Sequence, residues 1–252
     1  MLVLPLVSAC LSFSAVAHWS HPLPRPHAHA AQLPSQRLAR PPTASLTTTL
    51  VPAAGACLAN VMFFSGAPEV MKKRAEGELG DFNPLPMPII FGTTLGWFIY
   101  SLLTRDVFVA IANAPGLLLS LWYVTTTIKL AEPPLARRLE GLTLLVAAIH
   151  AFAGIASAFL LRSHAATVQL YGLLCNAILM VYYSAPLSSL AKVVRTRSAA
   201  SIYLPTVAVN CLNGLFWSMY AMAINDRYLL VPNAIGVALA TVQAALCFVC
   251  RS

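Results

Sequence analysis

The chain has 252 residues, 58% of them hydrophobic and 10% charged, with a mean hydropathy of +0.74 and a formal charge of +8. A soluble domain spends about a quarter of its residues on Asp, Glu, Lys and Arg, so this composition excludes a water-soluble globule and makes the bilayer the solvent. The basic excess is not a nucleic-acid signature either, because no soluble module carries a clustered basic face with interleaved aromatics.

Residues 1–47 read as a targeting segment, expected to be disordered or cleaved. The opening 24 residues are uncharged, but the apolar part, 2–17, is too short to span and ends in Ala15-Val16-Ala17, a small-residue pattern that resembles a signal-peptidase site. The stretch from there to about residue 47 is rich in Pro, Ala, Ser and His and holds Arg25, Arg37 and Arg40. With no acid before Glu69, it resembles a transit segment. The two together would suit import into a complex plastid. An ordinary secretory route is the competing reading.

Seven windows then lack Asp, Glu, Lys and Arg: 41–68, 82–104, 107–128, 141–161, 163–191, 198–225 and 228–250. The shortest has 21 residues, and about 20 apolar residues suffice to cross the hydrocarbon. Loop charge orients them. The first, third and fifth connections hold Lys72, Lys73 and Arg74, then Lys129, Arg137 and Arg138, then Lys192, Arg195 and Arg197, whereas the others hold Arg105, Arg162 and Arg227 alone. Positive loops stay cytoplasmic, so the N-terminus is expected outside and the C-terminus inside. Cys57, Cys175, Cys211, Cys247 and Cys250 lie in or at the end of apolar windows without metal-ligand spacing and read as small hydrophobes.

The first three windows repeat in the last three. Trp97-x-x-Tyr100 recurs as Trp217-x-x-Tyr220, Asp106 as Asp226, Asn113 as Asn233 and Gly116 as Gly236, all at an offset of 120. Pro68 matches Pro186 at 118 and Pro86 matches Pro205 at 119. The expected fold is an all-α membrane protein of seven helices, two parallel three-helix repeats (48–130 and 163–252) joined by a linker loop and fourth helix (131–162). Parallel repeats about an axis along the membrane normal are a transporter plan, with substrate near the midplane at the seam.

Functional groups in the spans are amide, hydroxyl and aromatic. No carboxylate lies deep, His150 is the one ionisable exception and reads as packing, and ATP-binding and metalloprotease motifs are missing. Neither a catalytic residue, a metal nor a cofactor is expected. Asn113 and Asn233 are candidate ligand contacts, since an amide donates and accepts as adjacent hydroxyls do. Asn60, Asn176, Asn210 and Asn213 have no partner at the repeat offset and read as packing. Trp97 and Trp217 are candidate ring-stacking walls, and Tyr100, Tyr220, Asp106 and Asp226 a candidate outer gate. Pro68, Pro86, Pro186 and Pro205 fall on one side of the membrane and are candidate inner hinges.

These features together resemble the SWEET sugar transporters over about residues 48–250. The motifs that carry the likeness are Tyr183-Ser-Ala-Pro-Leu187, Lys192-Val-Val-Arg-Thr-Arg-Ser198, Trp217-Ser-Met-Tyr220 and Val231-Pro-Asn-Ala-Ile-Gly236. The resemblance implies facilitative sugar movement by alternating access. It assigns sugar contact to Asn113, Asn233, Trp217 and the partner position Trp97, hinges to the four prolines and an outer gate to Tyr100 and Asp226. It also implies a mono- or disaccharide substrate, a homo-oligomer as an open alternative, and the plasma membrane by family default, a plastid membrane being the alternative the N-terminal segment offers. Three departures stand out. Pro115 comes after Asn113, while the usual Pro-Asn order appears at Pro232-Asn233, so the bend in the third span is expected to differ. The cytoplasmic tail is short. Trp occupies both aromatic positions, which narrows the expected preference to monosaccharides. A PQ-loop carrier shares the plan but needs Pro-Gln hinges, and here the dipeptides are Pro68-Glu69, Pro86-Met87, Pro186-Leu187 and Pro205-Thr206. A seven-helix receptor would not repeat itself at an offset of 120.

Overall fold

In the computed structural model the described residues are 46–199 and 202–250, and of Ala185 and Pro186 the backbone alone. The targeting segment therefore lies outside them apart from its last two residues. Seven helices long and apolar enough to cross a bilayer are present among the described residues. The first span, α1, runs Leu46–Glu76: a π-helical turn (Leu46–Leu50), a helix (Val51–Ser65), an interruption at Gly66 and a second helix (Ala67–Glu76). The others are α2 (Pro86–Thr104), α3 (Val107–Leu130), α4 (Pro133–Phe159), α5 (His164–Thr196), α6 (Leu204–Ile224) and α7 (Arg227–Val249). Proline in the first turn of α2, α4 and α6 sits where its missing N–H would be unpaired anyway.

The second and third helices of each repeat join through two residues built alike. Arg105 and Asn225 end α2 and α6 in the left-handed region (φ 56° and 57°), and Asp106 and Asp226 cap α3 and α7. The two repeats meet crosswise: α1 packs on α6, and α2 packs on α5. The buried core lies along that seam, with Trp97, Tyr100, Trp217 and Tyr220 in one cluster with residues of α4 and α5. Outward apolar side chains such as Leu144, Phe152 and Phe159 of α4 (69%, 71% and 81% exposed) are what a lipid solvent requires.

The linker helix α4 docks on the first repeat through His150. Its Nε2 lies 2.8 Å from the Gly92 carbonyl oxygen, so Nε2 carries the proton and Nδ1, buried without a partner, is bare. The ring stacks on Tyr171 of α5 (9° between planes). Gly92 and Gly96 make the approach feasible: a Cβ at 92 would stand 3.0 Å from Val146 Cβ, and one at 96 would stand 2.9 Å from His150 Cε1 and 3.0 Å from Cys175 Sγ. The packing expected of His150 is thus a hydrogen bond to main chain as well.

Gly96→Val is expected to overfill this junction and cost about 1–3 kcal/mol, seen as a lower melting temperature of the detergent-purified protein. Gly141→Ala, where a Cβ meets nothing within 4 Å, is the control and should leave the midpoint unchanged or raise it slightly.

Candidate functional site

Each aspartate that caps a third helix splits its carboxylate between two tasks. Asp106 Oδ1 accepts from the N–H groups of Phe108 and Val109 (3.0 and 3.1 Å), and Asp226 Oδ1 from those of Tyr228 and Leu229 (2.9 and 3.0 Å). That satisfies two of the four amides a helix start leaves unpaired. The other oxygen reaches across the seam. The Tyr100 hydroxyl donates to Asp226 Oδ2 at 2.9 Å, and the Tyr220 hydroxyl donates to Asp106 Oδ2 at 2.9 Å. Repeat one thus holds repeat two and the reverse, through the four residues expected at an outer gate. Burial pushes the Asp106 carboxyl above the usual carboxylate range, against the pull of its hydrogen bonds.

Behind the tyrosines the two indoles fill the seam. Trp97 packs edge-on to Tyr100 (centroids 5.4 Å apart, 83°), Trp217 to Tyr220 (6.1 Å, 68°), and both are buried. A Cβ on Gly55 of α1 would stand 3.3 Å from Trp217 Cε2, so this small residue admits the ring. Asn113 and Asn233 lie two turns into α3 and α7 from the caps. Each amide donates once to its own helix, to Val109 oxygen at 2.9 Å and Leu229 oxygen at 2.7 Å. A primary amide keeps a second N–H and an acceptor oxygen beyond that bond.

Of the prolines, Pro68 begins the segment after the Gly66 interruption, Pro86 and Pro205 lie at the starts of α2 and α6, and Pro186 lies within the long α5. They stand at the end of the bundle opposite the aspartates. The set expected to act as hinges is therefore unequal in form: one copy breaks its first helix, the other runs through.

Two further polar positions belong with this set. Thr93 Oγ1 and Asn213 Oδ1 are buried oxygens without a hydrogen-bond partner. They lie 120 apart, each four residues before a seam tryptophan on the same helix, and so on that tryptophan's face. Asn213 thus does have a counterpart at the repeat offset, contrary to the expectation, and it is a different residue type. Extending the offset from identical residues to polar residues of any kind would have found it. Asn60 and Asn176, also expected to be unpaired packing residues, each bond the third helix of their own repeat.

A family model described as "Sugar efflux transporter for intercellular exchange" matches residues 50–134 and 169–251. Among similar curated proteins, the Caenorhabditis elegans "Sugar transporter SWEET1" is 27% identical over 187 residues, 73% of this chain and 60% of that protein. The Danio rerio "Sugar transporter SWEET1" is 26% identical, covering 70% of this chain and 80% of that one. The Oryza sativa "Bidirectional sugar transporter SWEET4" is 26% identical over 79% of this chain and 78% of its own length. A solved eukaryotic SWEET transporter structure superposes with a TM-score of 0.73 at 22% identity, covering 82% of this chain and 97% of that one, which shows the fold. The protein is an integral multi-pass membrane protein with the 3+1+3 arrangement.

Tyr100→Phe and Tyr220→Phe each delete one cross-seam hydroxyl and leave the helix caps intact. Each should raise thiol-reagent labelling of a cysteine placed at Thr93 from the aspartate end by about tenfold to a hundredfold, the scale of one hydrogen bond to a charged group. The double variant should label fastest.

Proposed function

The chain belongs to the SWEET family, and from that membership we propose that it moves sugars across a bilayer down their gradient, without energy input, by alternating access. It is a transporter and not an enzyme. The observation that carries the reading is the two-fold placement of partly uncommitted amides, Asn113 and Asn233, on corresponding helices of two repeats whose seam is tied shut at one end. A sugar hydroxyl both donates and accepts, and each of these amides retains one donor and an acceptor oxygen for it. Thr93 Oγ1 and Asn213 Oδ1 offer further acceptors one turn from the tryptophans, and the indole faces suit the C–H face of a pyranose.

In this reading the aspartate end faces outside, with the N-terminus, and is closed by the two tyrosine–aspartate bonds. The proline end faces the cytoplasm, with the C-terminus, and opens by bending at Pro68, Pro86, Pro186 and Pro205. Residues 48–130 and 163–252 are the rocking halves and 131–162 the linker. Two tryptophans narrow the seam, so the substrate is a monosaccharide in preference to sucrose. The membrane is the plasma membrane by family default, and the exposed apolar flank of α4 is open to lipid or to a second copy.

Proteoliposomes containing only this protein should take up labelled glucose, and sucrose at less than about a tenth of that rate. Equal uptake of the two would overturn the monosaccharide preference. Asn113→Ala and Asn233→Ala should each reduce glucose flux about tenfold or more, with unchanged abundance. Unchanged flux in both would remove these residues from the site.

A further inference from the structure

A proline inside a helix lacks the N–H that would bond the carbonyl four residues earlier, and in hydrocarbon no water takes its place. α3 contains Pro115 and α7 contains Pro232, so the carbonyls left without a main-chain donor are those of Ile111 and Tyr228. Each meets a side-chain amide from the first helix of its own repeat. Asn60 Nδ2 donates to the Ile111 oxygen at 3.1 Å, and Asn176 Nδ2 to the Tyr228 oxygen at 2.9 Å. Each amide spends its other N–H on the carbonyl four residues back in its own helix, Ala56 at 2.9 Å and Gly172 at 2.7 Å. Both protons are used, which fixes the side chain between the two helices. Asn60 is 6% exposed.

The registers of the two copies show that this is a matched pair. At the offset of 120 that relates Asn113 to Asn233, Pro115 would correspond to Ile235 and Asn60 to Met180. The second repeat instead has its proline three residues earlier, at 232, and its asparagine four residues earlier, at 176. The first and third helices of a repeat run in the same direction, so both residues have moved one turn the same way. An amide that merely filled space would have no reason to track the proline.

We propose that Asn60 and Asn176 are positioning residues for transport: each closes the turn that a proline opens beside Asn113 or Asn233, fixes the depth and direction of that amide, and makes the first and third helices of the repeat move as one body. This rests on the reading of Asn113 and Asn233 as sugar contacts. The geometry favours it, since Asn113 lies between Ile111 and Pro115 in sequence and Asn233 is the residue directly after Pro232. Each repeat has one further tie between its first and third helices. In the second, the Tyr183 hydroxyl of α5 donates to the Pro232 oxygen at 3.0 Å, and in the first the Tyr123 hydroxyl of α3 donates to the Phe63 oxygen at 2.6 Å.

The test is a double-mutant cycle on the full chain in proteoliposomes with labelled glucose. Asn60→Leu keeps the shape and removes the donor, and should raise KM by about threefold to tenfold with less change in Vmax; Asn176→Leu should do likewise. Pro115→Ala restores the main-chain N–H, so in that background Asn60→Leu should change KM by less than about twofold. An Asn60→Leu effect of equal size in both backgrounds overturns the proposal, as does no effect in either. The same non-additivity is expected in the melting temperature in detergent, which does not depend on sugar. If Asn113→Ala leaves uptake unchanged while the melting cycle is non-additive, the sugar-site reading fails and the proline cap stands. Should Asn60→Leu fail to fold alone, recovery in the Pro115→Ala background supports the pairing, and failure in both passes the decision to Asn176→Leu and Pro232→Ala.

Discussion

Inside hydrocarbon a main-chain carbonyl or amide without a partner costs several kcal/mol, and this chain nonetheless interrupts its helices where it works. Prolines stand inside α3 and α7, and the seam-facing helices end in two-residue turns. Each interruption is closed by a side chain from a particular place. Asn60 and Asn176 serve the two proline turns, and Asp106 and Asp226 serve the two helix starts. In the two aspartates the other carboxylate oxygen then accepts from a tyrosine of the opposite repeat. Satisfying the backbone and holding the two repeats together are in this molecule one task.

The aspartates show how two scales of structure are tied together. A cap is local, deciding where α3 and α7 begin, while the tyrosine bond from the same carboxylate spans the seam. Releasing the seam therefore asks nothing of the helix starts, because the capping oxygen is not the one that lets go. His150 plays a comparable part for the linker, bonding a carbonyl of α2 from α4 while stacking on Tyr171 of α5. The linker touches both halves and belongs more firmly to the first.

Much of this could be read from the letters. Charge-free windows gave seven spans because a bilayer tolerates few charges, and identical residues at a fixed offset gave the repeat. The recurring Tyr and Asp were visible too, but not their crossing. A repeated Tyr100…Asp106 and Tyr220…Asp226 does not say that each tyrosine takes the other copy's acid, which emerges only from the two-fold packing of α1 on α6 and α2 on α5. Asn60 and Asn176 were hidden for a different reason. Their offset is set by the prolines they serve and not by the repeat, so a compensated one-turn shift looked like loss of pairing. Thr93 and Asn213 were hidden because equivalent positions had diverged in residue type.

That divergence has a consequence for what two fused copies can recognise. Were the halves separate, identical chains, their common wall would carry the same group on both sides of the axis, and a ring with different substituents around it would meet the same surface in either of two orientations. One continuous chain is released from this rule. With a hydroxyl at Thr93 where the other copy has an amide at Asn213, the two halves are no longer equivalent, and in the proposed reading a sugar turned over end for end is no longer an equivalent guest.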